Sequence, residues 1–382
     1  MVVLHVITAL GVGGTERMLL KLLSARALSG FDQRVVAMRP GGAMAAPMRA
    51  TGARVNELNF LGGLPVLEGA FRLARLARRD QPCLVHGWLY HGNLGAALAQ
   101  FALVRHVPMV WSIRQSLPTL DGENLFARFG IALNRIGSGR PDRLLFNSNT
   151  SWAQHRARGF DTARAGYVPN GFDTTAFAPD AAARARWRTA WGAGAKDVVF
   201  GMFARYHPAK DHAGFLRAAA RVRKARPNVR FVLAGTGVDP RNVEIARVIA
   251  ETGLEGYVRL LGEQRDCVAS LLAALDVYVS ASAREAFSNS IGEAMSCALP
   301  CVVTEVGDSS QVVGDTGRAV PPNDASALAD AMIAMVDLGS TGRAGLGERA
   351  RKRVRAEFDI EAVAQRYADV YRTLIAGSER VT

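Results

Sequence analysis

The stretch from Arg284 to Val303 constrains the fold of this chain more than any other. It reads Arg-Glu-Ala-Phe-Ser-Asn-Ser-Ile-Gly-Glu-Ala-Met-Ser-Cys-Ala-Leu-Pro-Cys-Val-Val. Just upstream, Asp276-Val-Tyr-Val-Ser280 has the β-branched and aromatic content of a buried strand, and Pro300-Cys-Val-Val-Thr304 reads as the next one. Between them Ile291, Ala294, Met295 and Ala298 recur at helical spacing, which predicts a short helix with one face on a sheet. Glu285 falls in the loop before that helix and Glu293 in its first turn. In an open α/β sheet, ligands gather beyond the carboxyl ends of the strands. A helix amino terminus at that place adds free N–H groups and a positive dipole end, which suit a phosphate. Ser290-Ile-Gly-Glu293 also fits a capping box, which would account for Glu293 without a ligand.

The rest of the chain repeats this unit. Strands are expected at 2–8, 34–38, 53–58, 83–86, Met109–Ile113 and Arg143–Phe146. The helices between them are expected over Glu16–Ser29, Val66–Arg79, from Asn93, and over 124–136. After a turn at Pro169-Asn-Gly-Phe-Asp173, strands are expected at Val198–Phe203, Arg230–Ala234 and Tyr257–Leu261. Helices follow at 213–224, 242–252, 268–275, 325–336, 343–356 and Ile360–Ile375. Alternation of this kind makes a doubly wound parallel sheet, and 382 residues suffice for two such domains, each with its own core. Gly11-Val-Gly-Gly-Thr15 is a glycine-rich turn after the first strand. It departs from the dinucleotide fingerprint, because position 16 is Glu where a glycine is needed.

Glu285 and Glu293, with seven residues between them and followed by Ala-Met-Ser-Cys-Ala-Leu-Pro, resemble the Glu-x7-Glu signature of retaining glycosyltransferases of the GT-B fold. The similarity is to the glycogen-synthase-like and polysaccharide-assembly group, family 4 in type. The resemblance implies two Rossmann-like domains facing a cleft: 1–172, with a C-terminal helix of about 358–382 packed back on it, and 173–357. It also implies a nucleotide-diphosphate sugar as donor and a glycan or lipid-linked saccharide as acceptor. Arg205-Tyr-His-Pro-Ala-Lys210 matches the family's Arg-x4-Lys loop, whose two cations would clamp the diphosphate and neutralise the leaving group. By the same resemblance Glu285 lies near the donor sugar and Glu293 accepts bonds from the ribose. The backbone of Phe287, Ser288, Asn289 and Ser290 would hold phosphate. Gly262 and Arg265 lie near the base, and Gly13 and Gly14 belong to the first loop over the cleft. The alternative for each of these loops is an ordinary turn or a solvated surface.

On the acceptor side, His86 ends a strand and His91 lies in the loop after it. Either binds acceptor or orients the sugar, or else is structural. Where many relatives carry a His after the next strand, this chain has Trp-Ser-Ile-Arg-Gln-Ser, so Arg114 is expected to meet a phosphate or acidic group. No Asp-x-Asp or His/carboxylate cluster occurs, so neither metal nor cofactor is expected.

Charge adds a partner. Residues 1–170 hold 20 basic and 9 acidic groups, against 27 and 25 in the remainder, so most of the net charge of +13 lies in the first half. Only five of the 47 basic residues are Lys, as an Arg-rich genome would give, but that does not explain the asymmetry. With Arg72, Arg75 and Arg79 on one helical face, the first domain is expected to meet an anionic membrane. Nucleic acid is not expected, because basic residues do not interleave with aromatics. Cys83, Cys267, Cys297 and Cys301 show no metal or disulfide spacing, the start has no basic leader, and no apolar run reaches the roughly 18 residues of a membrane span. A cytoplasmic protein, peripheral on the inner face of the membrane, is therefore expected. The competing readings are a GT-B sugar-nucleotide epimerase or hydrolase and a non-enzymatic nucleotide-binding protein.

Overall fold

The computed structural model describes residues 1–60, 64–119 and 124–379. The chain divides into two compact units, Met1–Gly171 with Ile360–Thr382, and Phe172–Asp359. The last three residues of the expected C-terminal helix lie outside the described residues.

The first unit is built on seven parallel strands: β1 (Val2–Ile7), β2 (Asp32–Ala37), β3 (Arg54–Glu57), β4 (Leu84–Trp88), β5 (Met109–Ile113), β6 (Arg143–Phe146) and β7 (Ala165–Tyr167). Their order is β3-β2-β1-β4-β5-β6-β7, so the winding reverses between β1 and β4. The helices are α1 (Gly14–Ser24), α2 (Ala45–Ala50), α3 (Leu64–Asp80), α4 (Leu89–Phe101), α5 (Leu125–Gly137), α6 (Asn149–Ala157) and a C-terminal helix (Ile360–Glu379). Central strands such as β4 and β5 are buried along their whole length, as parallel strands covered on both faces must be. One face packs on α1 and the C-terminal helix through Leu19, Leu22, Val363 and Tyr367. The other packs on α3, α4 and α5 through Leu73, Ala96 and Ile131.

The second unit has β8 (Val198–Phe203), β9 (Val229–Ala234), β10 (Val258–Leu260), β11 (Val277–Ser280), β12 (Cys301–Thr304) and β13 (Arg318–Val320), in the order β10-β9-β8-β11-β12-β13. All pairs are parallel. Its helices are α7 (Ala181–Trp191), α8 (His212–Ala225), α9 (Val243–Thr252), α10 (Val268–Ala273), α11 (Asn289–Ser296), α12 (Ser309–Val313), α13 (Ala325–Asp337) and α14 (Gly339–Glu357). Here the winding reverses between β8 and β11.

Three expectations need correction. The helix expected over Glu16–Ser29 breaks at Ala25, which is extended, and resumes as a 3-10 turn over Arg26–Leu28. The break is stabilised from elsewhere in the chain: Arg26 and Ala27 donate their amides to the Glu361 carboxylate at 3.0 and 3.2 Å. The helix expected from Asn93 begins four residues earlier, with a left-handed Leu89 as its first residue, so His91 lies in a helical turn and not in a loop. On α3, Arg72, Arg75 and Arg79 are exposed as expected, but Arg72 pairs with Glu68 at 2.6 Å and Arg79 with Asp80 at 2.7 Å, so the face is partly neutralised.

Candidate functional site

The reversal between β8 and β11 leaves a crevice beyond their carboxyl ends, where ligands of open α/β sheets bind. Four of the residues singled out in the sequence stand at that edge. β8 leads through Ala204 to Arg205. A 3-10 turn over Pro208–Lys210, opened by His207, then runs into α8. Asp211 is left-handed (φ 49°) and caps α8 by accepting from Gly214 N at 2.8 Å. A left-handed Asp is tolerated because its short side chain bonds locally.

β11 leads into the loop that carries Glu285. This loop is stitched to the first one, since Ala283 N and Arg284 N both donate to Ala209 O, at 2.9 and 3.3 Å. Tyr278 Oη donates to Phe203 O at 3.1 Å, tying the end of β8 to β11. The result is that the Lys210 ammonium donates to the Glu285 carboxylate, with both side chains about one-fifth exposed. Arg205 is exposed and has no acidic partner among the described residues. Two glycines make these loops fit. Gly307 (φ +55°) lies against the carbonyls of Glu285 and Ala286, where a Cβ would collide with both. Gly235 (φ +150°) lies against the carbonyl of Ala204 and the amide of Arg205.

The capping-box reading of Glu293 does not hold. α11 starts at Asn289 with Ser288 as its N-cap, so Ser290 is already helical and Glu293 stands in the second turn, not the first. Ser288 makes no side-chain cap bond, and its Oγ lies 3.2 Å from Ser290 Oγ. Phe287 is buried and stacks on Phe172, with centroids 6.2 Å apart, fixing the entry to the helix. Glu293 is half-buried, one helical turn beyond Asn289.

Gly262 (φ +68°) closes the neighbouring loop, accepting from Gly235 N at 2.8 Å. Arg265 is exposed and turns back on Glu263 of its own loop at 2.9 Å. Two side chains of this edge escaped the sequence reading. Asp211 caps the helix that follows Lys210, and an Asp directly before the helical run was the available signal. Tyr206 Oη donates to Glu244 at the start of α9, a pairing that local sequence does not reveal.

In the first unit, β1 and β4 flank the corresponding reversal. Gly13 is the N-cap of α1 and Gly14 its first residue, and the Glu16 carboxylate folds over Gly13 so closely that a Cβ would collide with it. Burial pushes the Glu16 carboxyl up from its ordinary range.

The acceptor-side residues are elsewhere. His86 is fully buried, with Nδ1 2.7 Å from Tyr371 Oη and Nε2 2.7 Å from Ser112 Oγ. Burial lowers its pKa well below the usual value, so it is neutral. With both ring nitrogens engaged it is a structural histidine, which corrects its assignment to catalysis. Arg114 is likewise buried. It donates to Tyr367 Oη at 2.9 Å and to Asn170 Oδ1, and its guanidinium lies 5.5 Å from the Trp88 ring. It holds the Pro-Asn-Gly turn and the C-terminal helix, and not an acceptor. His91 is half-buried and stacks on Phe126, centroids 4.3 Å apart. Among the described residues no group of three or more His, Cys, Asp or Glu is arranged to hold a metal.

Comparison with known proteins agrees with this architecture. Residues 197–337 match the family described as glycosyl transferases group 1, and residues 12–176 match glycosyltransferase family 4. Among curated relatives, the N-acetyl-alpha-D-glucosaminyl L-malate synthase of Bacillus anthracis is 34% identical over 146 residues, which is 38% of this chain and 37% of that protein. The chain thus aligns with little more than a third of that relative's length. The lipopolysaccharide core biosynthesis glycosyltransferase LpsE of Rhizobium meliloti (strain 1021) is 26% identical over 360 residues, covering 93% of this chain and 94% of LpsE. Among solved structures, HepE of Anabaena in complex with UDP superposes with a TM-score of 0.85 at 22% identity, covering 98% of this chain and all of that one. The chain thus carries a glycosyltransferase family 4 domain over residues 12–176 and a glycosyl transferases group 1 domain over residues 197–337, on the GT-B fold of two parallel-sheet Rossmann-like units.

Proposed function

We propose that the protein transfers a hexosyl group from a nucleoside-diphosphate sugar to a hydroxyl of a glycan or lipid-linked saccharide, with retention at the anomeric carbon, in the assembly of cell-surface polysaccharide or lipopolysaccharide. The observation that carries this reading is the convergence of Arg205, Lys210 and Glu285 at the β8–β11 edge. Two cations there suit the diphosphate, and their field stabilises the charge that grows on it as the glycosidic bond breaks. The bond between the anomeric carbon and the phosphate oxygen cleaves with its electron pair going to the diphosphate. The acceptor oxygen bonds to the same face, and its proton passes to the leaving phosphate oxygen. No enzymic base is required. Glu285 contacts the sugar, Glu293 the ribose hydroxyls, the amides of Phe287 to Ser290 the phosphate, and Gly262 and Arg265 the base. Charge neutralisation by the two cations makes the transfer metal-independent. The UDP bound in HepE and the lipopolysaccharide assignment of LpsE support the donor and acceptor classes. The work is done at the cytoplasmic face of the membrane, where lipid-linked acceptors reside. No helix among the described residues is long and apolar enough to cross that membrane.

The test is incubation with UDP-, GDP- and ADP-sugars, with and without lipid-linked saccharide and with and without chelator. The anomeric proton coupling of the product is then read by NMR. A product of unchanged anomeric configuration, formed only with acceptor and insensitive to chelator, is expected. An inverted product refutes retention, and nucleotide release that ignores the acceptor favours the hydrolase or epimerase reading.

A further inference from the structure

The loop between Arg205 and Lys210 holds a side chain that the donor-site reading leaves unused. His207 is half-buried, two residues after Arg205 and three before Lys210, and it is the N-cap of the 3-10 turn over Pro208–Lys210. Its Nδ1 accepts the Ala209 amide at 3.1 Å. A backbone N–H can only donate, so Nδ1 carries no proton and the ring holds its one proton on Nε2. Such caps are usually made by the oxygen of Ser, Thr, Asp or Asn. A histidine caps with one nitrogen and keeps a second on the far side of the ring. That Nε2–H has no partner among the described residues. His212 shows the contrast: it is buried, and its Nε2 lies 3.3 Å from the Ala204 carbonyl, so its N–H is spent on the scaffold. The backbone around His207 is pinned on both sides. Tyr206 N donates to Thr236 O at 2.8 Å, and Tyr206 Oη donates to Glu244. Lys210 N donates to His207 O at 2.9 Å, and Ala209 O accepts from Ala283 N and Arg284 N. With its backbone and its ring orientation both fixed, His207 is a preorganised donor.

We propose that His207 donates its Nε2–H to the diphosphate of the nucleotide sugar, as a neutral hydrogen-bond donor between the two cations. This rests on the reading of the β8–β11 edge as the donor site. The bond strengthens as charge grows on the leaving diphosphate, so it favours the transition state over the bound substrate. The proton stays on the ring throughout. Its transfer from Nε2 would leave an imidazole anion unless Nδ1 took up a proton in turn, and the Ala209 amide occupies Nδ1. His207 is therefore wired to donate a hydrogen bond and not to shuttle a proton.

The experiment compares His207→Asn and His207→Ala with the wild type and Arg205→Ala, all as the full chain. UDP, GDP and ADP are titrated into each by calorimetry, and melting temperatures and turnover with the matching nucleotide sugar are measured. Asn is a good N-cap: its Oδ1 replaces Nδ1 as acceptor for the Ala209 amide, while its Nδ2 takes the place of the ring carbon Cδ2, one bond short of Nε2. A histidine that only caps the turn predicts that Asn restores both stability and affinity. The proposal expects both His207 variants to bind the diphosphate about tenfold or more weakly, with turnover at saturating donor also reduced, while His207→Asn keeps the wild-type melting temperature. A His207→Asn protein that binds and turns over like wild type overturns the proposal and leaves His207 as a cap. If Arg205→Ala weakens binding and His207→Asn does not, the inference fails alone. If the wild type binds none of the three nucleotides, the donor-site reading fails and the inference with it.

Discussion

Replacing Arg114 by Met separates a structural cation from an acceptor-binding one. The guanidinium lies almost wholly out of water, between Tyr367 Oη, Asn170 Oδ1 and the Trp88 ring. Met keeps most of the volume and deletes the donors. Each hydrogen bond to a charged donor contributes about 1.5–3 kcal/mol. Asn170 keeps its bond from Asn147 Nδ2 at 3.1 Å, so part of the loss is softened there. The net destabilisation should therefore be about 3–5 kcal/mol, a large share of the roughly 5–15 kcal/mol that holds a domain folded. Because the chain has two units, one unfolding curve does not report it cleanly. Hydrogen exchange resolves the two: amides of β4, β5 and the C-terminal helix should lose protection by that amount, while those of β8 and β11 should not change. Nucleotide affinity should also be unchanged, since Arg205 and Lys210, the proposed diphosphate cations, belong to the other unit. Unaltered protection in the first unit together with a raised acceptor KM would refute the reasoning and return Arg114 to the acceptor.

Glu293→Gln should weaken nucleotide binding by about 1–2 kcal/mol, roughly five- to thirtyfold, with little change in melting temperature, because the cap that could have explained this Glu is not formed. Calorimetric titration checks it, and equal affinities would take Glu293 out of the donor site. Tyr371→Phe should cost about 1–3 kcal/mol by leaving His86 Nδ1 unpaired, read as lost amide protection in β4 and the C-terminal helix. Acid stability should reflect the buried neutral histidines. Burial lowers the pKa of His5, His155 and His212 to about 4, and holds that of His86 well below its ordinary value. The unfolded state therefore binds the extra protons first. Stability should be full above about pH 6.5 and fall as pH drops from there toward 4, by up to about 1.4 kcal/mol per pH unit for each histidine. A flat urea midpoint between pH 7 and 5 would contradict this.

The cluster at the β8–β11 edge was legible because its information is local. Arg205 and Lys210 follow one strand, Glu285 and Glu293 follow another, and a parallel sheet brings such ends together whatever lies between. The helix register was less legible. Ser288 and Ser290 are both good caps, and what selects Ser288 is the burial of Phe287 and Ile291, which is a tertiary matter. The surroundings of His86 and Arg114 were not legible. His86 was expected to end its strand but stands in the middle of β4, Arg114 follows β5 directly, and both are claimed by Tyr371 and Tyr367 from a helix more than 250 residues away in sequence. Likewise, nothing local in α5 tells that Asn134 faces in and Phe129 out, because Asn93, its partner, lies on another helix.

The central claim is that the β8–β11 edge binds the donor diphosphate through Arg205 and Lys210. Its most direct test is calorimetric titration of UDP, GDP and ADP into the wild-type protein, Arg205→Ala and Lys210→Ala. One nucleotide should bind the wild type, and each variant should lose about 1.5–3 kcal/mol of that affinity, roughly ten- to a hundredfold. The melting temperature of Arg205→Ala should stay close to wild type, since an exposed cation contributes little to folding. Equal affinity in all three proteins would contradict the account.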